Sequence, residues 1–86
     1  MKLPKTQLQE VLYLLITDKS ITRLEATRFG ILNLPARIYD LRKLNVDIII
    51  KNNICKNKFG RTVNYATYIL VNLQESLAIY KKMLDN

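Results

Sequence analysis

The start of the chain has the hydrophobic spacing of a helix. In TQLQEVLYLLIT, apolar residues recur three and four positions apart, as on one side of a helix: Leu8, Leu12, Leu15 and Ile16, with Val11 beside them. Pro4 and Thr6 are typical of a helix start. We therefore predict a first helix over residues 5–17. Its polar residues Gln7, Gln9 and Glu10 are expected to face water.

The segment SITRLEATRFG predicts a second, shorter helix after a brief extended stretch around Ile21. TRLE has the form of a capping box, in which Thr22 accepts a hydrogen bond from the backbone of Glu25 and Glu25 bonds back. The helix is predicted over residues 23–29 and ends at Gly30, which adopts a left-handed backbone readily. Its candidate core residues are Leu24, Ala26 and Phe29.

A third helix is predicted close behind, over residues 34–44. Asn33 can cap its start, and Pro35 fits the first turn, where a missing N–H has no cost. Asn45 is expected to take the left-handed conformation that ends the helix. The residues that share its buried side, spaced by four and three, are Leu34, Ile38 and Leu41.

The second half of the chain predicts a β-hairpin followed by a helix. VDIIIKNNIC and VNYATYILV have strand character, and KNKFGRT between them predicts a turn with a basic tip. NLQESLAIYKKMLDN then returns to helical spacing, with a stripe of Leu73, Leu77, Tyr80 and Leu84. Two interpretations of this stripe stay open. It packs on the first helix, or it pairs with its copy in a homodimer, which we slightly favour.

The order helix, short strand, helix, helix, strand, strand, helix predicts an α+β fold of the winged helix-turn-helix type. It has three helices, a β-hairpin wing and an extra C-terminal helix. A length of 86 residues, 49% of them hydrophobic, is enough for one small core. We divide the chain into a winged helix-turn-helix domain at residues 1–71 and a C-terminal helix at residues 72–86.

The residue types argue against catalysis. The chain has no histidine, and its one cysteine, Cys55, therefore lacks the usual base partner of a nucleophile and the co-ligands of a zinc site. We predict no enzyme, no cofactor and no metal. The apolar run near the N-terminus is short and interrupted by Gln and Glu, which predicts neither a signal peptide nor a membrane span. We expect an intracellular protein without a membrane partner.

Positive charge is concentrated in the middle of the sequence. Residues 35–62 contain seven Lys or Arg and two acidic residues, so they carry +5 of the net +7. In a winged helix the exposed face of the third helix enters the DNA major groove. Its candidate contacts are Asn33, Ala36, Arg37, Tyr39, Asp40, Arg42 and Lys43. Arginine can bond bidentately to guanine, whereas Asp40 either orients Arg37 or accepts from cytosine.

The predicted wing adds a second set of contacts to the DNA backbone or minor groove. Its candidate residues are Lys51, Lys56, Asn57, Lys58, Arg61 and Thr62. At the tip, Phe59 is placed to pack on a sugar, and the start of the second helix, at Thr22 and Arg23, is a candidate phosphate site. The alternative is that the basic helix face is ordinary solvated surface and that the charged hairpin prevents association of strand edges.

Several motifs together are similar to a family of small winged helix-turn-helix proteins common in phages and prophages. The matching residues are Thr22, Glu25-Ala26, Gly30-Ile31, Leu34, Arg37-Ile38-Tyr39-Asp40-Leu41-Arg42 and Tyr68-Ile69-Leu70. The resemblance covers about residues 5–70 and implies a winged-helix fold, DNA binding and a cytoplasmic location in a bacterial host cell. Asn45 replaces the usual glycine after the third helix. The last fifteen residues lie outside the pattern.

The leading hypothesis is therefore sequence-specific binding of double-stranded DNA by a phage or prophage transcriptional regulator. The helix over 34–44 lies in the major groove, and the basic wing over 51–62 lies on the backbone or in the minor groove. One alternative is a phage inhibitor or adaptor that binds a host protein. Another is a non-specific architectural or replication-accessory DNA binder, which would show steep salt dependence with little sequence preference.

Overall fold

The computed structural model describes residues 2–85, which form four helices and one antiparallel sheet. The helices are α1 (Gln7–Asp18), α2 (Arg23–Arg28), α3 (Leu34–Lys43) and α4 (Leu73–Asp85). The strands are β1 (Ser20–Thr22), β2 (Ile48–Lys56) and β3 (Thr62–Leu70). The predicted α+β order, the hairpin and the C-terminal helix are confirmed.

The predicted ends of the two short helices are also found. Thr22 Oγ1 accepts from the Glu25 backbone N–H at 3.2 Å, and Glu25 Oε1 accepts from the Thr22 N–H at 3.0 Å, so the capping box forms at both bonds. Gly30 follows α2 with φ +79°, and Asn45 follows α3 with φ +73°. Lys19, at φ +66°, ends α1 in the same left-handed way, which the sequence pattern did not indicate.

The sheet has the strand order β1-β3-β2, and its two edges differ in length. β1 pairs with β3 only from Ser20–Ile69 to Thr22–Thr67, whereas β2 and β3 pair along nine positions, from Ile48–Leu70 to Lys56–Thr62. Beyond β1 the hairpin therefore continues as two strands alone. We call residues 52–66 the distal ribbon. The molecule measures 48 × 23 × 20 Å, as expected when strands of nine residues, roughly 30 Å each, extend past the helices.

One core joins all four helices to the near end of the hairpin. It is built on α1, and the turn after α3 closes it at Val46. The buried hydrophobic residues are Val11, Leu12, Leu15, Ile16, Ile21, Ala26, Ile31, Leu34, Ile38, Leu41, Val46, Ile48 and Tyr80. The three α3 positions predicted to face inward are all in this set.

Helix α4 packs on α1 of the same chain, which was the first of the two interpretations of its apolar stripe. Tyr80 is fully buried, its ring centroid lies 6.0 Å from that of Tyr13, and its hydroxyl donates to the Lys2 carbonyl at 2.7 Å. Burial, and secondarily the neighbouring Tyr13, raise the pKa of Tyr80 above its ordinary value. Tyr80 was a predicted dimer contact, but its position in the interior leaves it no surface for a second chain. Partly buried positions of the stripe are Leu73, Leu77 and Leu84.

Three side chains differ in burial from what the sequence predicted. Gln9 was expected in water but is buried, because its amide accepts from Lys5 N at 2.7 Å and donates to the Met83 carbonyl at 3.3 Å. Leu24 and Phe29 were expected in the core but are 66% and 58% exposed. With only six residues, α2 covers a small part of the core through Ala26, and Ile31, bonded to the Ala26 carbonyl, fills the adjoining space.

Candidate nucleic-acid interface

Helix α3 presents a mixed polar face opposite its buried residues. Ala36 and Asp40 are half-buried, while Tyr39 and Lys43 are exposed, and at about 100° per residue these positions point away from Leu34, Ile38 and Leu41. Asn33 caps the helix as predicted, because its Oδ1 accepts from the Ala36 N–H at 3.4 Å. Asn33 was also a candidate DNA contact, but this bond uses its side-chain oxygen to form the start of the helix.

The Arg37–Asp40 pair forms on this face. Arg37 Nη2 lies 3.3 Å from Asp40 Oδ2, and the two side chains are 34% and 39% exposed, so the i,i+3 ion pair, one of the two roles considered for Asp40, is formed. Arg37 Nε is buried and has no hydrogen-bond partner within residues 2–85. The guanidinium is therefore held near the surface by one carboxylate, with donor capacity that the protein leaves unused.

A second local contact lies one turn along the helix. The Lys43 ammonium lies 4.3 Å from the centroid of the Tyr39 ring, within the range of a cation–π interaction. Tyr39 is 61% exposed. The two side chains thus form a small exposed cluster of ring and positive charge at the C-terminal half of α3.

Arg42 has a structural role that the sequence pattern did not show. Its Nη2 donates to the Ile48 carbonyl, at 2.6 Å, where β2 begins. This bond ties the end of α3 to the near end of the hairpin. Arg42 was predicted to contact DNA, and it is exposed, but part of its donor set is engaged within the fold.

Asn72 fixes the same region from the other side and was missed as a site-building residue. Its Oδ1 accepts from the Asp47 N–H at 2.8 Å, and its Nδ2 donates to the Asn45 carbonyl at 3.0 Å. Ser76 Oγ also donates to this Oδ1. The asparagine joins the turn after α3 to the start of α4, so α3 and the hairpin are held in one orientation. The sequence does not indicate this role, because the partners Asn45 and Asp47 lie 27 and 25 positions away.

The tip of the wing is a three-residue turn, Lys58-Phe59-Gly60, closed by hydrogen bonds. Asn57 N donates to the Arg61 carbonyl at 2.9 Å, and Gly60 N donates to the Asn57 carbonyl at 3.1 Å. Asn57 Oδ1 accepts from both Phe59 N and Arg61 N, at 2.9 and 3.0 Å. Gly60 has φ +78°, as this type of hairpin loop requires. Asn57, predicted as a DNA contact, therefore uses its oxygen to shape the turn.

The wing is basic along its length. From Ile48 to Asn72 the sequence has four Lys or Arg and no acidic residue. Lys51 and Lys56 are five positions apart, so they point to opposite faces of the hairpin. The predicted wing residues with exposed, charged or hydroxyl-bearing side chains are Lys51, Lys56, Lys58, Arg61 and Thr62.

At the start of α2, the two predicted phosphate contacts differ in availability. The Thr22 hydroxyl and backbone N–H are both engaged by Glu25, whose carboxylate also adds negative charge there. Arg23 is exposed. Of the two, Arg23 is the better contact for an anion, because it brings a positive charge, whereas Thr22 lies beside the Glu25 carboxylate.

Residues 2–85 contain no helix that is both long and apolar enough to cross a bilayer. Acidic and Cys side chains in the same range form no cluster of three that would suit a metal ion. Cys55 is exposed and unpaired on β2.

Comparison with known proteins gives one match. A family model described as "Winged helix-turn-helix domain" matches residues 6–73, from the residue before α1 to the first residue of α4. The chain matches no curated protein and no solved structure at a significant level.

Proposed function

The chain belongs to the winged helix-turn-helix domain family, and from that premise we propose that it binds double-stranded DNA with sequence preference. The fold itself suggests DNA binding. In our proposal α3 lies in the major groove, and the basic wing lies on the neighbouring backbone or in the minor groove. The protein acts by occupying DNA and performs no catalysis.

The Arg37–Asp40 ion pair carries the proposal of base reading. A face used only to hold phosphates gains nothing from a carboxylate, because Asp40 repels the DNA backbone. Next to an arginine, however, the same carboxylate restrains the guanidinium fork, which is the group that recognises guanine O6 and N7. The 3.3 Å separation of the pair and its partial exposure support this role.

The wing is proposed to supply sequence-independent affinity. Lys51, Lys56, Lys58 and Arg61 stand free of acidic neighbours on an exposed hairpin. Each such charge that neutralises a phosphate releases condensed counterions, so it makes binding more salt-dependent. In this proposal Arg42 and Asn72 fix the orientation of the wing relative to α3, so that both can contact the same duplex.

The biological role follows from the resemblance to phage and prophage proteins. We propose a transcriptional regulator acting in the cytoplasm of a bacterial host, with residues 1–71 as the DNA-binding unit and residues 72–86 as an added helix. A homodimer that uses the parts of Leu73, Leu77 and Leu84 left exposed by their packing on the core belongs to this proposal. Such a dimer would bind two half-sites about 34–36 Å apart, or a multiple of that.

The first test is selection from a random duplex library at physiological salt, followed by measurement of variants on the recovered site. Arg37→Ala is expected to cost about 1–3 kcal/mol on that site and to relax specificity. Arg37→Lys should recover only part of the loss, because an ammonium cannot make the bidentate contact. Thermal unfolding of each variant checks that the fold is retained.

Lys58→Ala is the matched control for a phosphate contact. It should weaken binding to all sequences alike and reduce the salt slope by about 1. Equal losses for Arg37→Ala on selected and random DNA would exclude α3 as the reader of sequence. An inverted repeat in the selected DNA would support the dimer, and a single asymmetric site would exclude it.

A second candidate function, binding of a host protein, has one observation in its favour. Leu24, Val63 and Tyr65 are partly or largely exposed and lie together around Cys55, next to the start of α2. Leu24→Asn would place a polar group in this apolar patch without adding a charge beside Arg23. For a protein-binding role it should abolish a host partner's binding while DNA affinity stays unchanged, whereas a DNA binder alone has no such partner to lose.

A further inference from the structure

Phe59 is a large apolar side chain that the fold does not use. It is 90% exposed at the far end of the distal ribbon, the highest exposure among the large hydrophobic residues of the described chain. The buried core ends at Ile48 on β2, at the opposite end of the hairpin. Phe59 therefore contributes nothing to the stability of the core, and its exposure costs solvation free energy in the free protein.

The turn presents Phe59 in a defined way. The backbone that carries the side chain is fixed, because Asn57 Oδ1 accepts from the N–H of Phe59 itself and from that of Arg61. The left-handed Gly60 completes the loop, and a non-glycine residue at φ +78° would be strained there. A single side chain is thus carried at the apex of a narrow, closed turn.

The surroundings of Phe59 indicate what kind of surface it meets. The exposed residues Lys56, Lys58 and Arg61 lie within three positions of Phe59 in the sequence, where the nearest acidic residues are Asp47 and Glu75. Such a cluster attracts a polyanion and disfavours a basic protein surface. A nucleic acid fits this description, because it is a polyanion whose stacked bases, between two rows of phosphates, also offer apolar surface to a phenyl ring.

We propose that Phe59 is an apolar wedge that enters the DNA minor groove and bends the duplex. This inference rests on the proposed function and adds a specific mechanical role for the wing. The phenyl ring inserts between two base pairs, while Lys56, Lys58 and Arg61 contact the phosphates on either side of the groove. Partial unstacking at that step kinks the DNA toward the major groove, where α3 is bound.

The dimensions of the tip fit this role. The minor groove of B-DNA is about 6 Å wide, whereas adjacent strands lie about 4.8 Å apart before side chains are counted. The whole ribbon is therefore too broad to lie deep in the groove, but one side chain at its apex can enter. DNA bending would also confer sequence preference at base pairs that α3 does not touch, through the flexibility of pyrimidine–purine steps.

The test is the bend angle of a selected duplex, measured by energy transfer between dyes at its two ends. Wild-type protein at saturation is expected to bend the DNA by at least about 20°. Phe59→Ala should remove most of this bend, and Phe59→Leu should retain it, since leucine also acts as an apolar wedge. Ile54→Ala is the matched control, because Ile54 is another exposed apolar side chain, 73% exposed, on the same ribbon but away from the tip.

The outcomes separate this inference from the proposed function. A bend lost with Phe59→Ala and kept with Phe59→Leu and Ile54→Ala supports the wedge. Duplex binding without a bend, or a bend unchanged by Phe59→Ala, overturns the wedge and leaves DNA binding intact. If the wild-type protein binds no duplex from the library, the proposed function itself is overturned, together with the wedge.

Discussion

The two ends of one hairpin have opposite environments. Near the helices, Val46 and Ile48 are 2% and 3% exposed and belong to the core. Six positions further along β2, Ile54 is 73% exposed, although its β-branched side chain is of the same type and lies on the same side of the strand as Ile48. The difference arises because the helices and β1 cover only the near end of the hairpin.

This contrast separates residues that the fold needs from residues that remain available for binding. A two-stranded hairpin is at best marginally stable by itself, so the distal ribbon depends on the core for its order. The core gains little in return, since the ribbon's side chains are exposed or only half-buried. We therefore expect substitutions in the core to change stability and substitutions in the ribbon to change binding.

The largest expected effect comes from removing a core leucine. Leu15→Ala should lower the free energy of unfolding by about 2–5 kcal/mol, because it deletes buried methyl groups and leaves a cavity in the core next to α1. Ile54→Ala on the distal ribbon should change it by less than about 0.5 kcal/mol. Urea denaturation at neutral pH measures both. Comparable losses would mean that the ribbon is part of the cooperative core.

A smaller effect is expected at the junction of β1 and α2. Thr22→Ala removes the hydroxyl oxygen that accepts from the Glu25 N–H, which is one of the two bonds of the capping box, and should cost about 0.5–2 kcal/mol. Thr62→Ala, an exposed threonine at the far end of β3, is the matched control and should be close to neutral. If the two variants unfold at the same urea concentration, the capping box contributes nothing measurable.

The smallest effect at neutral pH is expected for Tyr80→Phe. It keeps the buried ring but removes the hydrogen bond to the Lys2 carbonyl, for an expected loss of about 0.5–1.5 kcal/mol. Tyr65→Phe, on the partly exposed ribbon, should be near neutral.

Tyr80 also predicts a pH dependence with a defined sign. Its pKa is raised above the ordinary 10.0, so the unfolded phenol ionises at a lower pH than the folded one. The stability that the protonated Tyr80 contributes to the folded state is therefore complete below pH 10 and is lost as the pH rises through the pKa of Tyr80 in the folded protein. The wild-type protein should therefore lose stability above pH 10 more steeply than Tyr80→Phe does, in parallel urea titrations. Identical slopes would contradict burial of this phenol.

Local signals in the sequence predicted most of the fold. The helical spacing of α1, the Thr22–Glu25 capping box and the left-handed Gly30 each depend on residues a few positions apart. The Arg37–Asp40 pair belongs to the same class, since both residues lie on one turn of α3. These features could be predicted because their partners are fixed by the helix geometry itself.

The features that could not be predicted depend on distant partners. Gln9 is buried because Met83, 74 positions away, accepts its amide hydrogen bond. Arg42 lies on the flank of α3 that meets the start of β2, and helical spacing alone does not tell which flank that is. Tyr80 is likewise assigned to the core by its contact with α1. Such choices are made by tertiary packing.

The most direct test of the account is a variant with a shortened wing. Replacing residues 54–64 by Asn-Gly would join Asn53 to Tyr65, its partner across the hairpin, through a two-residue turn. The change removes Phe59 and the basic residues Lys56, Lys58 and Arg61. We would measure its free energy of unfolding and the salt dependence of its binding to the selected duplex.

The account predicts that the free energy of unfolding changes by no more than about 1 kcal/mol. The salt slope of DNA binding should fall by about 3, and the affinity for the selected duplex should drop at least about tenfold. Loss of the folded state would show that the distal ribbon supports the core. Unchanged DNA affinity and salt slope would show that the wing does not contact DNA. Either result would contradict the division between a core that folds and a ribbon that binds.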